Sequence, residues 1–418
     1  MTMYMYRKHR KKNTKQYAST LSPHANKLLQ QRQQYLYGDQ VKGRKKHNPA
    51  SRTVESEIKP STTSARQALA RSYISITLLG KVVMALHITD EITRDVPIDI
   101  NPKTIQLMAY LAWQRGKKIK RDQLIQMIWG RGRTNEDDIV EEDEGKMGEA
   151  FEAAKKSLRR VIRKAIKKWN DERGEILLDP DDPKLDIFEH RYQLWWLSPL
   201  CRVIDLDAVE EQHRIIMEAK MRGALVNTVP EHIKDACDAL IVAYNGDFLE
   251  SLIRLNPLDL KTWASAWVRE PITYYRDCYL QAVWYAAEYE RQVGQHFADE
   301  RLADDVESRR KQRECWARAV ELYRLYTMYA CNNRLDEKVF FQMPGRGNGD
   351  RVTWSERALC ECIQLCGKLG DPYLLDEVYN AYYDLMKIVS DENWEPSEET
   401  HRKVLAASSL AATYRLER

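Results

Sequence analysis

The densest chemistry in this 418-residue chain lies between Gly145 and Asn170, in GKMGEAFEAAKKSLRRVIRKAIKKWN. Met147, Phe151, Ala154, Leu158, Ile162, Ala165 and Trp169 recur at spacings of three and four, which gathers them on one side of an α-helix. Lys155, Lys156, Arg159, Arg160, Arg163, Lys164, Lys167 and Lys168 fan over the other side. Such a helix buries one face and offers donors from the other. Ammonium and guanidinium groups suit phosphate oxygens and base edges, and Arg pairs two-pronged with guanine. A charged face is also the ordinary way for a helix to stay solvated, so the elements around it decide between the two.

Those elements begin at Ser72. SYISITLLG, closed by Gly80, and KVVMALHI read as strands. PKTIQLMAYLAWQRG sets Ile105, Met108, Ala109, Ala112 and Trp113 at helical spacing, with Gly116 as a stop. After the basic turn KKIKR, residues 121–129 put Leu124, Ile125, Ile128 and Trp129 on one face of a short second helix. The run 136–144, EDDIVEEDE, carries seven acids in nine positions and reads as a solvated loop before the long basic helix. EILL at 175–178 and DIFEHRYQLWWL at 186–197, separated by the turn-rich DPDDPK, then read as a hairpin. Strands, helix, helix, basic helix and hairpin make the order of a winged helix-turn-helix over 71–200, with the hairpin as wing. In that arrangement Lys184, His190 and Arg191 sit in or beside the wing. Arg121, with Lys117, Lys118 and Lys120, opens the second helix, where all four can meet phosphate.

Beyond Leu206 the pattern is almost wholly helical, with segments near 206–224, 230–244, 259–269, 271–294, 299–331, 353–368, 371–389 and 397–415. ACDALIVAYNGDFLESL and CWARAVELYRLY set small residues beside large aromatic ones, as closely stacked helix pairs require. The expected fold class is therefore mainly α with a small β component: a winged helix-turn-helix followed by a tetratricopeptide-like helical repeat domain over 201–418.

The chain resembles the SARP-like family of bacterial transcriptional activators. The resemblance covers about 72–415 and rests on ISITLLGKVVM, IQLMAYLAWQRGKKIKRDQLIQMIW, SLRRVI, VIDLDAVE, YNGDFLESL followed by WASAWVRE, LCGKLGD and WEPSEETHRKVL. It implies a response-regulator-type winged helix joined to a bacterial transcriptional activator domain. It further implies double-stranded DNA as partner, bound as a homodimer on paired half-sites, contact with RNA polymerase, and a cytoplasmic, nucleoid-associated protein. Glu149 and Glu152 stand where family members often carry Asn or Arg for groove contact. The acidic run is open to three readings: an activation surface, an intramolecular clamp over the basic helix, or a plain insertion.

Charge is distributed unevenly. Residues 1–70 hold 15 Lys and Arg against three acids, a net +12 that leaves −8 for the rest of a chain of net charge +4. That tail is polar and aperiodic and reads as a disordered polyanion-binding arm. No stretch approaches the ~18 apolar residues of a membrane helix. Cys360, Cys362 and Cys366 lack the paired spacing of a zinc site and read as buried thiols. GRGNGD at 345–350 lacks the Lys and Ser/Thr of a phosphate cradle, and GxSxG and HExxH do not occur, so neither a cofactor nor an enzymatic activity is expected. Two other functions stay open: a repeat scaffold with a degenerate winged helix, and RNA binding driven by the tail.

Overall fold

A computed structural model describes residues 72–89, 92–98, 100–130, 141–174, 178–182, 185–225, 227–255, 265–299, 306–331, 354–389 and 395–416. The basic tail, Lys184, residues 136–140 of the acidic run and the glycine-rich 345–350 lie outside them. The fold is mainly helical with a small sheet component. Its described residues form two compact units: 72–209 with 244–276, and 210–243 with 277–416.

The first unit opens on a four-stranded sheet of order β3-β2-β1-β7, formed by β1 (Tyr73–Thr77), β2 (Val83–Thr89), β3 (Ile92–Val96) and β7 (Cys201–Val203). β1 and β2 fall on the two expected strands, whereas β3 and β7 carry too short a pattern to be read from sequence. β7 runs parallel to β1, with Ile74 opposite Cys201 and Ile76 opposite Val203, and so returns the chain to its starting sheet. Gly80 ends this region at φ 77°, and a Cβ there would lie 2.3 Å from the Asn245 carbonyl oxygen. The glycine lets YNGDFLESL reach the sheet edge, where Gly80 N–H donates to Asp247 O at 2.9 Å and Leu249 N–H to Leu78 O at 2.8 Å.

Three helices follow: α1 (Pro102–Trp113), α2 (Arg121–Trp129) and α3 (Glu141–Arg173). Asn101 caps α1 by accepting from Lys103 N–H, and Pro102 occupies its first turn. α1 is buried on nearly every side, from Thr104 through Ala112, while Ile105 and Trp113 of the expected face are only half-buried. α2 buries Leu124, Ile125 and Ile128 as expected, with Trp129 half-buried. α3 buries Phe151, Ala154, Leu158, Ile162, Ile166 and Trp169; Met147 and Ala165 sit at the margin, and Ile166 takes the place assigned to Ala165. This helix corrects one expectation, because Glu141–Glu144 of the acidic run belong to its first turn and not to a loop. Acids near a helix N-terminus favour that extension through the helix dipole.

A second correction concerns the hairpin. Residues 175–177 of the expected first strand lie outside the described residues and Leu178 is in no strand, while DIFEHRYQLWWL, expected as one strand, supplies two, β5 (Phe188–Arg191) and β6 (Leu194–Leu197). The strands join through Tyr192 and Gln193 at φ 50° and 64°. Two successive positive φ values define the tight turn that matches strand twist, a turn usually announced by Asn-Gly. Tyr-Gln gives no such signal. β4 (Ile119–Lys120) completes the antiparallel sheet β4-β6-β5.

The unit closes with the start of α4 (Ile204–Met221), α6 (Glu250–Leu255) and the first turns of α7 (Ser265–Asp299). The helix break expected at residue 270 is absent, since α7 continues through Pro271. An interior proline removes one backbone hydrogen bond, and the burial of Trp267, Val268, Ile272 and Tyr275 around it offsets that loss. Trp267 packs edge-on to Tyr110 of α1 at 5.0 Å.

The second unit is entirely helical among its described residues: the remainder of α4, α5 (Glu231–Ala243), the remainder of α7, α8 (Val306–Cys331), α9 (Trp354–Leu369), α10 (Pro372–Val389) and α11 (Glu398–Leu416). α9 sits centrally, against α8, α10 and α11. Trp284 anchors an aromatic cluster with Tyr323, Tyr326 and Trp354. Cys360, Cys362 and Cys366 are buried free thiols in α9. Small residues set the spacing where helices cross: Gly294 faces the Trp316 ring, and Gly367 faces Ala407, whose Cα would stand 2.9 Å from an added Cβ. Gly367→Ala is therefore expected to force α9 from α11 and lower stability by about 1–3 kcal/mol. Exposed Gln364→Ala on the same helix should change little. Denaturant midpoints of the two variants test this, and equal midpoints would refute tight packing at Gly367.

Candidate nucleic-acid interface

Every element of the candidate site belongs to the first unit. α3 is held by its apolar side: Phe151 meets Trp195 of β6 edge-on at 5.0 Å and Trp129 of α2 at 6.1 Å. Asn170 donates to Leu178 O at 2.8 Å, tying down the chain beyond the helix end. The sheet is fixed in turn, with Ile119 opposite Trp195, Lys120 opposite Leu194, and Arg121 N–H donating to Gln193 O at 2.9 Å. Helix α3, the start of α2 and the hairpin tip thus form one braced assembly.

The structure sorts the eleven candidate residues into groups. Lys156, Arg160, Lys164 and Lys167 are exposed and share the side of α3 opposite its core. Among the described residues none of these four has a salt-bridge partner. At about 1.5 Å per residue the row spans roughly 16 Å. Lys155, Arg159 and Arg163 turn sideways instead. Arg159 forms a two-pronged pair with Asp186, Arg163 reaches Asp181 at 3.2 Å, and Lys155 lies 3.7 Å from Glu152 and 4.9 Å above the Trp195 ring. Arg121 stands 3.9 Å from Glu152 and packs over Phe151. Arg159 and Arg163 thus hold the segment leading into the hairpin, Lys155 and Arg121 share Glu152 of α3, and all four are already partly neutralised. His190 is also structural, its ring stacked on Trp195 at 4.5 Å. Arg191 is at the exposed hairpin tip, its guanidinium 5.2 Å from the centre of the Tyr192 ring. Lys184 lies outside the described residues.

Position in the sequence could not separate Arg160 from Arg159. What separates them is Asp181 and Asp186, in a segment whose path sequence spacing does not give. Of the lysines expected beside Arg121, one is placed by an aromatic ring, and one further functional candidate, Tyr192, was missed. Lys118 lies 5.0 Å over Trp196 on the outer side of the small sheet, and Tyr192 projects from the turn with 84% of its surface exposed. A large aromatic between Arg and Gln, at the midpoint of an otherwise strand-like run, was the available signal for Tyr192.

Beside the cationic row lies an open depression of about 580 Å³ lined by Arg121, Gly145, Gly148, Glu149, Glu152, Ala153 and Lys156. Its mixed charge gives no preference for an anion. Glu149 and Glu152 interrupt the cationic surface of α3 between Lys146 and Lys155. Among the described residues, no group of three His, Cys, Asp or Glu side chains could hold a metal ion. No helix there is long and apolar enough to cross a membrane. No protein-family model and no curated protein matches this chain.

Proposed function

We propose that the chain is a sequence-specific double-stranded-DNA-binding regulator of transcription. In this reading α1, α2, α3 and the β4-β6-β5 sheet work as a winged helix-turn-helix, and the second unit as a helical-repeat module of the SARP-like type. The observation that carries it is the exposed row Lys156, Arg160, Lys164 and Lys167, without a salt-bridge partner among the described residues, on a helix braced against a hairpin with a basic tip. An α-helix fits the roughly 12 Å major groove, and the row can meet phosphates at the groove's edge and base edges within it. The middle of α3 enters the groove, the acids of its first turns stay outside, and Arg191 reaches the flanking backbone. Two copies on paired half-sites, with RNA polymerase as a further partner, complete the proposal.

Selection from random duplexes tests it, using the full chain and a version starting at Ser72 in parallel. The expected result is one enriched motif common to both. Enrichment of none by either protein would leave a protein-binding scaffold as the better reading, and nucleic-acid binding that vanishes with the tail would leave the tail as the binding element.

A further inference from the structure

The strained residue at the hairpin tip is left without a structural reason. Tyr192 and Gln193 both occupy left-handed backbone at a turn where Asn-Gly serves at less cost. Tyr192 buries almost none of its ring, so it adds little to the core. Yet its surroundings are rigid. The turn is clamped through Gln193 O to the first residue of α2, and β6 is pinned by Trp195 against Phe151 of α3. A costly conformation that presents an exposed aromatic from a fixed base is the pattern expected of a contact residue. Arg191 adds to it, since its guanidinium covers one side of the ring and supplies a positive charge at the same point.

Resting on the DNA-binding reading above, we propose that Tyr192 is a stacking wedge: its ring slides against an opened base step of the bound duplex while Arg191 neutralises the adjoining phosphate. The ring supplies a π face that every base can match, and a wedge between base steps kinks the duplex away from the groove it enters. The wedge would favour sites carrying an easily opened pyrimidine–purine step under the tip, at a position the cationic row does not touch.

The test uses the full chain and the duplex recovered by the selection above, with adenines replaced one at a time by 2-aminopurine, whose fluorescence rises when it unstacks. The wild type is expected to brighten the probe at one step flanking the region covered by α3. Tyr192→Phe should retain that signal. Tyr192→Asn keeps the left-handed turn but removes the ring, and should lose the signal together with about tenfold in affinity, the equivalent of one aromatic–base stack. Wild-type affinity and probe signal in Tyr192→Asn would overturn the wedge while leaving DNA binding intact, and would point to a protein contact at the tip. Failure of the wild type to select any duplex would overturn both readings. Thermal melting of Tyr192→Asn no lower than wild type separates ring loss from unfolding.

Discussion

Replacing Lys156, Arg160 and Lys164 together by glutamate is expected to weaken duplex binding by at least about a hundredfold and to flatten the plot of log affinity against log salt by about three. The expectation comes from where these charges sit. They are exposed, lie on the side of α3 away from its core, and among the described residues have no acid paired with them. Each can therefore displace a counterion from a phosphate, and that release is what makes affinity fall with salt. Arg159→Glu and Arg163→Glu look equivalent in sequence but should behave differently. Arg159 already pairs with Asp186 and Arg163 with Asp181, so reversing either sets two acids side by side and loosens the segment before the hairpin. Their losses should appear first as lower melting temperatures, with a salt slope close to wild type. Binding isotherms at three salt concentrations, with a melt on each variant, make the comparison. A triple variant with unchanged affinity would remove α3 as the DNA contact, and a pair of Arg159 and Arg163 variants with the larger slope change would show that the wrong row had been chosen.

Sequence periodicity recovered α1, α2 and α3 because each buries a continuous apolar set large enough to dominate its window. Phe151, Leu158, Ile162 and Trp169 define the buried side of α3 almost unaided. The same reasoning failed where a single backbone or a distant partner decides. β3 and β7 are short strands whose places depend on β2 and β1. The hairpin turn is held by Arg121 N–H and strand pairing, not by turn-forming residues, so Tyr192 and Gln193 read as strand. α7 passes Pro271 because neighbouring side chains are buried, and proline alone argues the opposite. For the site, sequence identified the helix and its charge but not which cations are available. Availability is set by Glu152, Asp181 and Asp186, and the last two are brought to α3 by a chain path no local pattern encodes.

Asp205 shows how far one such partner can matter. It lies in the first turn of α4, wholly buried, and its carboxylate accepts from Leu78 N–H and Leu79 N–H at 2.6 Å each and from Leu206 N–H at 2.9 Å. It thereby fastens the end of β1 to the helix that follows β7. Asp205→Ala strands those three donors in the core, at ~1–3 kcal/mol apiece with partial relief by relaxation, so a loss of about 4 kcal/mol is expected. That is a large part of an ordinary domain's 5–15 kcal/mol, roughly. Burial also pushes the Asp205 carboxyl up to about 6 from 3.8, outweighing the backbone hydrogen bonds that pull it down. A raised carboxyl binds its proton more tightly in the folded state, so its penalty is complete above pH 6 and fades as pH falls toward 3.8. Between pH 7.5 and pH 5 the first unit should therefore gain on the order of 1 kcal/mol from this group. Asp205→Asn keeps an oxygen for Leu78 and Leu79 and has nothing to titrate, so its stability should lack that rise. Denaturant unfolding of wild type and both variants at the two pH values decides the matter: parallel pH responses in wild type and Asp205→Asn would show that Asp205 folds with an ordinary carboxylate, and a mild Asp205→Ala would show that the three donors find other partners.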